Sequence, residues 1–165
     1  MKINVWSYEE EYKSIRKQIL KEVDKVFSSG QLILGENVRS LESNFSKYLK
    51  LKYGIGVNSG TDAIQIALMS ARISRGDEVI TVPNTAVPTV SAIVSCGAKP
   101  VFVDVNEDDY LINTNKIEEV INKKTKAIIP VNLYGQCADY DKILTIAKKN
   151  KLLVIEDCAQ SAGSF

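Results

Sequence analysis

The sequence predicts an α/β fold, a mostly parallel three-layer sheet preceded by a helical arm. Three observations carry that prediction. Short apolar runs stand at 53–57 (YGIGV), 78–82 (EVITV), 100–105 (PVFVDV), 126–131 (KAIIPV) and 152–156 (LLVIE). The intervening stretches are long enough for a crossover helix, so strand and helix alternate. The runs are apolar throughout rather than on every second residue, as expected of strands covered on both faces.

Taken in order, the first element is a helix. Ser7 and Glu10 have the spacing of a capping box, S-x-x-E. Behind them Tyr8, Tyr12, Ile15, Ile19, Val23 and Val26 recur every third or fourth residue, the period of an amphipathic helix, up to Ser28-Ser29-Gly30. "GQLILGE" (30–36) reads as a connector whose apolar residues need a partner surface. A second helix starts near Glu36, with Val38, Leu41, Phe45 and Tyr48 on one face. From 53 onward the strand–helix alternation takes over, and Gly76-Asp77, Gly97 and Asn113-Thr114 punctuate its joints. The expected organisation is an arm over 1–50 and an α/β domain over 51–165.

Composition narrows the chemistry. The 165 residues carry a net charge of +1, which offers no field to draw in nucleic acid or an anionic membrane. The lysines at 123–124, 148–149 and 151 read as solvated helix ends and loops. No apolar run is long enough to span a bilayer, and nothing at the N-terminus reads as a signal peptide. Three cysteines, Cys96, Cys137 and Cys158, lack C-x-x-C spacing and suggest a reducing cytoplasm. The chain has no histidine, which excludes Ser-His-Asp and Cys-His nucleophile systems and His-based metal sites within it. No metal site is expected.

Two strand ends are chemically loaded, and ligands of open α/β sheets bind beyond such ends. Asn58-Ser59-Gly60-Thr61-Asp62 follows the run at 53–57 and opens a helix to Ala71. A glycine and hydroxyls at a helix N-terminus suit an anion, although the same residues also make a plain capped helix start. Asp157 follows the run at 152–156. Such a carboxylate either needs a cation, such as a protonated ring nitrogen, or caps the next turn. Glu156 should point to the opposite side by the period of two. A phosphate cradle and a later strand-end acid together suit pyridoxal 5'-phosphate, whose ring nitrogen takes an acidic partner.

"VNSGTDAIQIALMSARISRGDEVITVPNTAVPTVSAIVSCGAKPVFVDV" and "TKAIIPVNLYGQCADYDKILTIAKKNKLLVIEDCAQSAGSF", with the arm "QLILGENVRSLESNF", resemble the DegT-type (DegT/DnrJ/StrS) nucleotide-sugar aminotransferases. These are fold-type I pyridoxal-phosphate enzymes. The resemblance implies an aspartate-aminotransferase-like large domain, of which this chain is the N-terminal part. It implies that Gly60 and Thr61 hold the cofactor phosphate, that Asp157 bonds the pyridine nitrogen, and that Gln160 reaches the ring hydroxyl. "NTAVPT" (84–89) would lie against one ring face, with Ala86 where many members carry an aromatic residue. Asn132 stands where the family often has histidine, and Cys158 where a small residue is usual. The Schiff-base lysine of the family would lie beyond Phe165, so the 165 residues alone are expected to be inactive. The implied reaction moves an amino group, from glutamate, to a 3- or 4-keto nucleotide-linked sugar, in a cytoplasmic homodimer. The alternatives are a sugar 3-dehydratase built on the same pocket and an inactive chain that binds only a phosphate ligand or a partner subunit.

Overall fold

The computed structural model describes residues 7–164. The chain divides into two compact units, Met1–Gly56 and Val57–Phe165.

The first unit is helical. Helix α1 spans Glu9–Ser29 and α2 spans Glu36–Tyr48. Three acids, Glu9, Glu10 and Glu11, fill the first turn of α1, where the helix dipole favours negative charge. The expected capping box does not form: Tyr8 is the N-cap and no side chain bonds the free amides. Glu10, which should have reached back, instead pairs with Lys13 at 2.6 Å. The other end follows the sequence, since Gly30 takes the left-handed conformation (φ 68°) and donates its N–H to Phe27 O. The helical period is there, but its apolar face is largely uncovered. No residue of α1 is buried, and Leu41, Phe45 and Tyr48 of α2 are exposed.

Residues 53–57 correct the sequence reading, because they form no strand. Their backbone has no ladder partner, and Tyr53 and Ile55 are 71% and 78% exposed. An apolar run becomes a strand only when a neighbouring strand supplies hydrogen bonds and a face to pack on. Gly54 and Gly56 lie against α2 instead: a Cβ on Gly54 would run into Glu42 O, and Gly56 N–H donates to Glu42 Oε1 at 2.7 Å.

The second unit is the α/β body. Helix α3 (Gly60–Ser70) leads to β1 (Glu78–Thr81), then α4 (Val87–Ser95), β2 (Lys99–Phe102), two short 3-10 turns (Thr114–Lys116 and Glu118–Val120), β3 (Thr125–Ile128), α5 (Tyr140–Asn150) and β4 (Leu153–Val154). The four strands are parallel in the order β2-β1-β3-β4. Gly76 and Gly97 take φ of 98° and 79° where the chain turns into β1 and β2, a conformation that favours glycine.

The central strands β1 and β3 are covered on both faces, which gives three layers, while the edge strands β2 and β4 are partly exposed. Ile80 and Ile128 face a cluster with Val82, Val103, Ile117, Ile143 and Ala147, on the α5 side. Their neighbours Val79, Ala127 and Ile129 face Ile64 and Leu68 of α3 and Ala92 and Ile93 of α4. The alternation follows from the strand period, and both sets are apolar because neither face meets water.

Candidate functional site

The site residues stand at the C-terminal end of the sheet. Past β4 the parallel ladder continues in single bonds: Ile155 N–H donates to Ile128 O, Asp157 N–H to Pro130 O, and Asn132 N–H to Asp157 O at 3.0 Å. This places Asp157 beside Val131 at the strand ends. The period of two then buries Asp157, 8% exposed, and leaves Glu156 exposed.

Helix α4 begins at the same end because it follows β1. Its first turn contains Thr89, 1% exposed, whose Oγ1 donates to Asp157 Oδ2 at 2.7 Å. Thr85 Oγ1 lies 2.8 Å from Thr89 Oγ1. Asp157 Oδ1 accepts from Ala159 N–H at 3.3 Å. Among the described residues no lysine or arginine pairs with this buried carboxylate. A carboxylate offers about four lone-pair positions, and two are used here, so acceptor capacity remains.

Gln160 follows on the turn after Asp157. Its Oε1 accepts from Tyr134 N–H at 3.1 Å, which fixes the amide and leaves Nε2 available as a donor. Ala86 is the N-cap residue of α4 and is exposed. It lines an open groove of about 520 Å³ with Pro83, Thr85, Val87, Val90 and Phe102. Gly60 and Thr61 form the first turn of α3, where Ser59 Oγ accepts from Asp62 N–H at 3.1 Å. Among the described residues the amides of Gly60 and Thr61 have no acceptor, and a Cβ on Gly60 would meet nothing within 4 Å. Asp62, held by the Ser59 hydroxyl at 3.0 Å, already places one negative charge at this helix end. Hydrogen bonds thus join Asp157 to α4, and Gln160 to the segment after β3. Among the described residues none joins Gly60 or Thr61 to the others.

Behind the site Asn132, 1% exposed, is a buried junction. Its Oδ1 accepts from Ala138 N–H at 3.0 Å and Tyr140 OH at 3.2 Å, and its Nδ2 donates to Cys158 Sγ at 3.4 Å. Burial pushes the Cys158 thiol above its ordinary value, so it is a packed thiol rather than a nucleophile. Burial, with Glu156 nearby, likewise raises the Tyr140 phenol and keeps it a hydrogen-bond donor.

Residues 13–165 match the DegT/DnrJ/EryC1/StrS aminotransferase family. The chain belongs to this family. It is 48% identical over 160 residues to the dTDP-3-amino-3,4,6-trideoxy-alpha-D-glucose transaminase of Micromonospora megalomicea subsp. nigra, covering 97% of this chain and 43% of that protein. It is 45% identical over 150 residues to the UDP-2-acetamido-2-deoxy-3-oxo-D-glucuronate aminotransferase of Pseudomonas aeruginosa, covering 91% and 42%. Among solved structures, S. venezuelae DesV superposes with a TM-score of 0.92 at 34% identity, over 95% of this chain and 42% of DesV. The Bacillus subtilis protein ntda, solved with bound cofactor pmp, gives 0.88 at 39% identity, over 91% and 34%. The chain therefore spans about two fifths of the length of the curated relatives cited. The α/β fold with its parallel sheet is that of the matching part of these aminotransferases, as the DegT-type resemblance implies.

Sequence reasoning included Thr85 and Thr89 in the segment 84–89 expected against one ring face, but gave neither a role of its own. The available signal was two threonines flanking a helix start, Thr85 before the N-cap and Thr89 in the first turn, close enough for their hydroxyls to meet.

Proposed function

We propose that this chain provides one part of the cofactor pocket of a pyridoxal-phosphate-dependent sugar aminotransferase. The observation that carries the proposal is Asp157: a buried carboxylate at the strand ends, held by a hydroxyl and an amide, with acceptor capacity left and no cation paired to it among the described residues. Burying such a group is costly unless something positive meets it. A protonated pyridine nitrogen meets that need, and the other residues fit the rest of the molecule. The free amides of Gly60 and Thr61, with open space where a Cβ of Gly60 would stand, suit its phosphate. The available Nε2 of Gln160 suits its ring hydroxyl. Ala86 leaves the groove on α4 open for ring or substrate.

When bound, pyridoxal phosphate carries the amino group and draws electron density from the reacting carbon into its ring. The work of this chain is to hold that ring. Asp157 keeps the nitrogen protonated by accepting its proton in a hydrogen bond. The first turn of α3 holds the phosphate, and Gln160 sets the ring's rotation. The proposed reaction moves the amino group from glutamate to a keto group of a nucleotide-linked deoxysugar for cell-surface polysaccharide synthesis. Position 3 is favoured, because the relatives from Micromonospora and Pseudomonas are both named for a 3-amino or 3-oxo sugar. We place the enzyme in the cytoplasm as a homodimer. In line with a dimer, Leu32, Ile33 and Leu34 stand exposed together.

The test uses the full-length protein incubated with pyridoxal phosphate, glutamate and either a dTDP- or a UDP-linked 3-keto sugar. Retained cofactor absorbance, release of 2-oxoglutarate and an aminated sugar nucleotide by mass spectrometry are expected. Failure to retain the cofactor, or retention without oxoglutarate release, overturns the proposal.

A further inference from the structure

We infer that Thr89, backed by Thr85, is a positioning residue that aims the Asp157 carboxylate at the ring nitrogen of a bound pyridine cofactor; this rests on the functional reading above. A threonine hydroxyl has one proton to give. Thr89 gives its proton to Asp157 Oδ2 at 2.7 Å, so the contact at 2.8 Å to Thr85 has Thr85 as donor and Thr89 as acceptor. The chain of bonds therefore runs one way, Thr85 to Thr89 to Asp157, and each donor sharpens the next.

Geometry makes this more than a tether. Asp157 is reached from β4, and Thr89 from the first turn of the helix after β1, with β3 between those strands. The only other bond to the carboxylate among the described residues is the longer one from Ala159 N–H, on the side chain's own turn. Without Thr89 the carboxylate could rotate about its last bond, a broad torsion that stays loose unless something fixes it. With Thr89 in place one lone pair of Oδ2 is taken, and the remaining acceptor positions have fixed directions. Thr89 is also buried, so water cannot substitute for it. Its backbone role is minor: it sits at the third helical position of α4, its N–H donating to Ala86 O at 3.3 Å, which valine at that position would preserve.

The test compares two ligands that differ only at the atom Asp157 faces. One is pyridoxal phosphate, the other its deaza analogue with carbon in place of the ring nitrogen. Dissociation constants are measured by absorbance titration of the full-length protein and of T89V, T89S and T85V. T89V should bind pyridoxal phosphate about tenfold more weakly, the order of one hydrogen bond to a charged group. Its affinity for the deaza analogue should stay within about twofold, since no nitrogen is there to be served. T89S, which restores the hydroxyl, should return to near wild-type affinity for both. T85V should show the same selective loss at smaller size, and decides the question by the same ratio if T89V does not fold. An equal loss for both ligands would make Thr89 a structural tie only, and no loss for either would remove it from the site; both outcomes overturn the inference. A wild-type protein that fails to prefer pyridoxal phosphate over the deaza analogue would instead overturn the Asp157 reading, and the inference with it.

Discussion

Asp157→Asn keeps the size and hydrogen-bonding reach of the side chain and removes its charge. Thr89 can still donate to the amide oxygen, and only the longer bond from Ala159 N–H is lost to the amide nitrogen, so the fold should stand and the melting temperature should fall only modestly. An amide does not favour a protonated ring nitrogen. Turnover in the full-length protein is therefore expected to fall by roughly two orders of magnitude, the scale seen when a group that stabilises developing charge is removed. Near-wild-type turnover in a well-folded variant would refute the role. Thr61→Ala probes the other end of the cofactor. The Thr61 side chain is half-buried, and among the described residues its hydroxyl serves no partner, so it is available to a phosphate oxygen. Its loss should cost about 1.5–3 kcal/mol, or roughly ten- to a hundredfold in Kd for pyridoxal phosphate, with a smaller effect on kcat. An unchanged Kd would return 58–62 to a plain helix cap, a role that Ser59 already fills. At this scale residue types and strand ends were legible in the sequence. The partner of Asp157 was not, because Thr89 lies 68 residues away and only the crossover through β1 brings it near.

Elements show where local patterns decide and where they do not. The strands at 78, 100, 126 and 152 were legible because each apolar run finds a neighbour on the sheet. The run at 53–57 is also apolar, but two of its five residues are glycines packed on α2 and it has no strand neighbour, so it stays outside the ladder. The join between β1 and β3 carries a pH-dependent bond. Glu78 Oε2 accepts from Asn122 Nδ2 at 2.6 Å, and Lys99 Nζ lies 3.6 Å from Glu78 Oε1. The Asn122 bond first, and then Lys99, hold the Glu78 carboxyl below its ordinary value of 4.5, against the opposing effect of burial. A group whose pKa is lowered by folding stabilises the fold above its unfolded value and loses that contribution as pH falls through the folded one. The contribution of Glu78 is thus fully present above about pH 4.5 and is lost below it. Glu78→Gln should flatten that part of the acid unfolding curve while leaving the neutral-pH transition cooperative. Parallel urea titrations at several pH values check this, and an unchanged acid slope would show that the Asn122 bond adds nothing.

At the scale of the whole molecule the sheet order and the three layers follow from connectivity, because right-handed crossovers leave few ways to stack β1 to β4. What remains is apolar surface with nothing on it. In the connector between α1 and α2, Leu32, Ile33 and Leu34 are consecutive and all exposed, Ile33 at 81%. The sequence already marked "GQLILGE" as needing a partner, and the described residues supply none that buries it. Burying one such side chain contributes about 1.5–3 kcal/mol, so the three together offer roughly 5–9. In a two-fold contact each chain presents the same patch, so one association covers both copies and the gross gain doubles. Self-association through this connector is therefore the expected outcome, read as a dimer in sedimentation velocity. Ile33→Lys would place two like charges in one two-fold interface and should shift the protein to monomer at the same concentration, with the α/β body and its melting temperature unaffected. A wild-type protein that stays monomeric at tens of micromolar, or a dimer indifferent to Ile33→Lys, would assign the association to another surface.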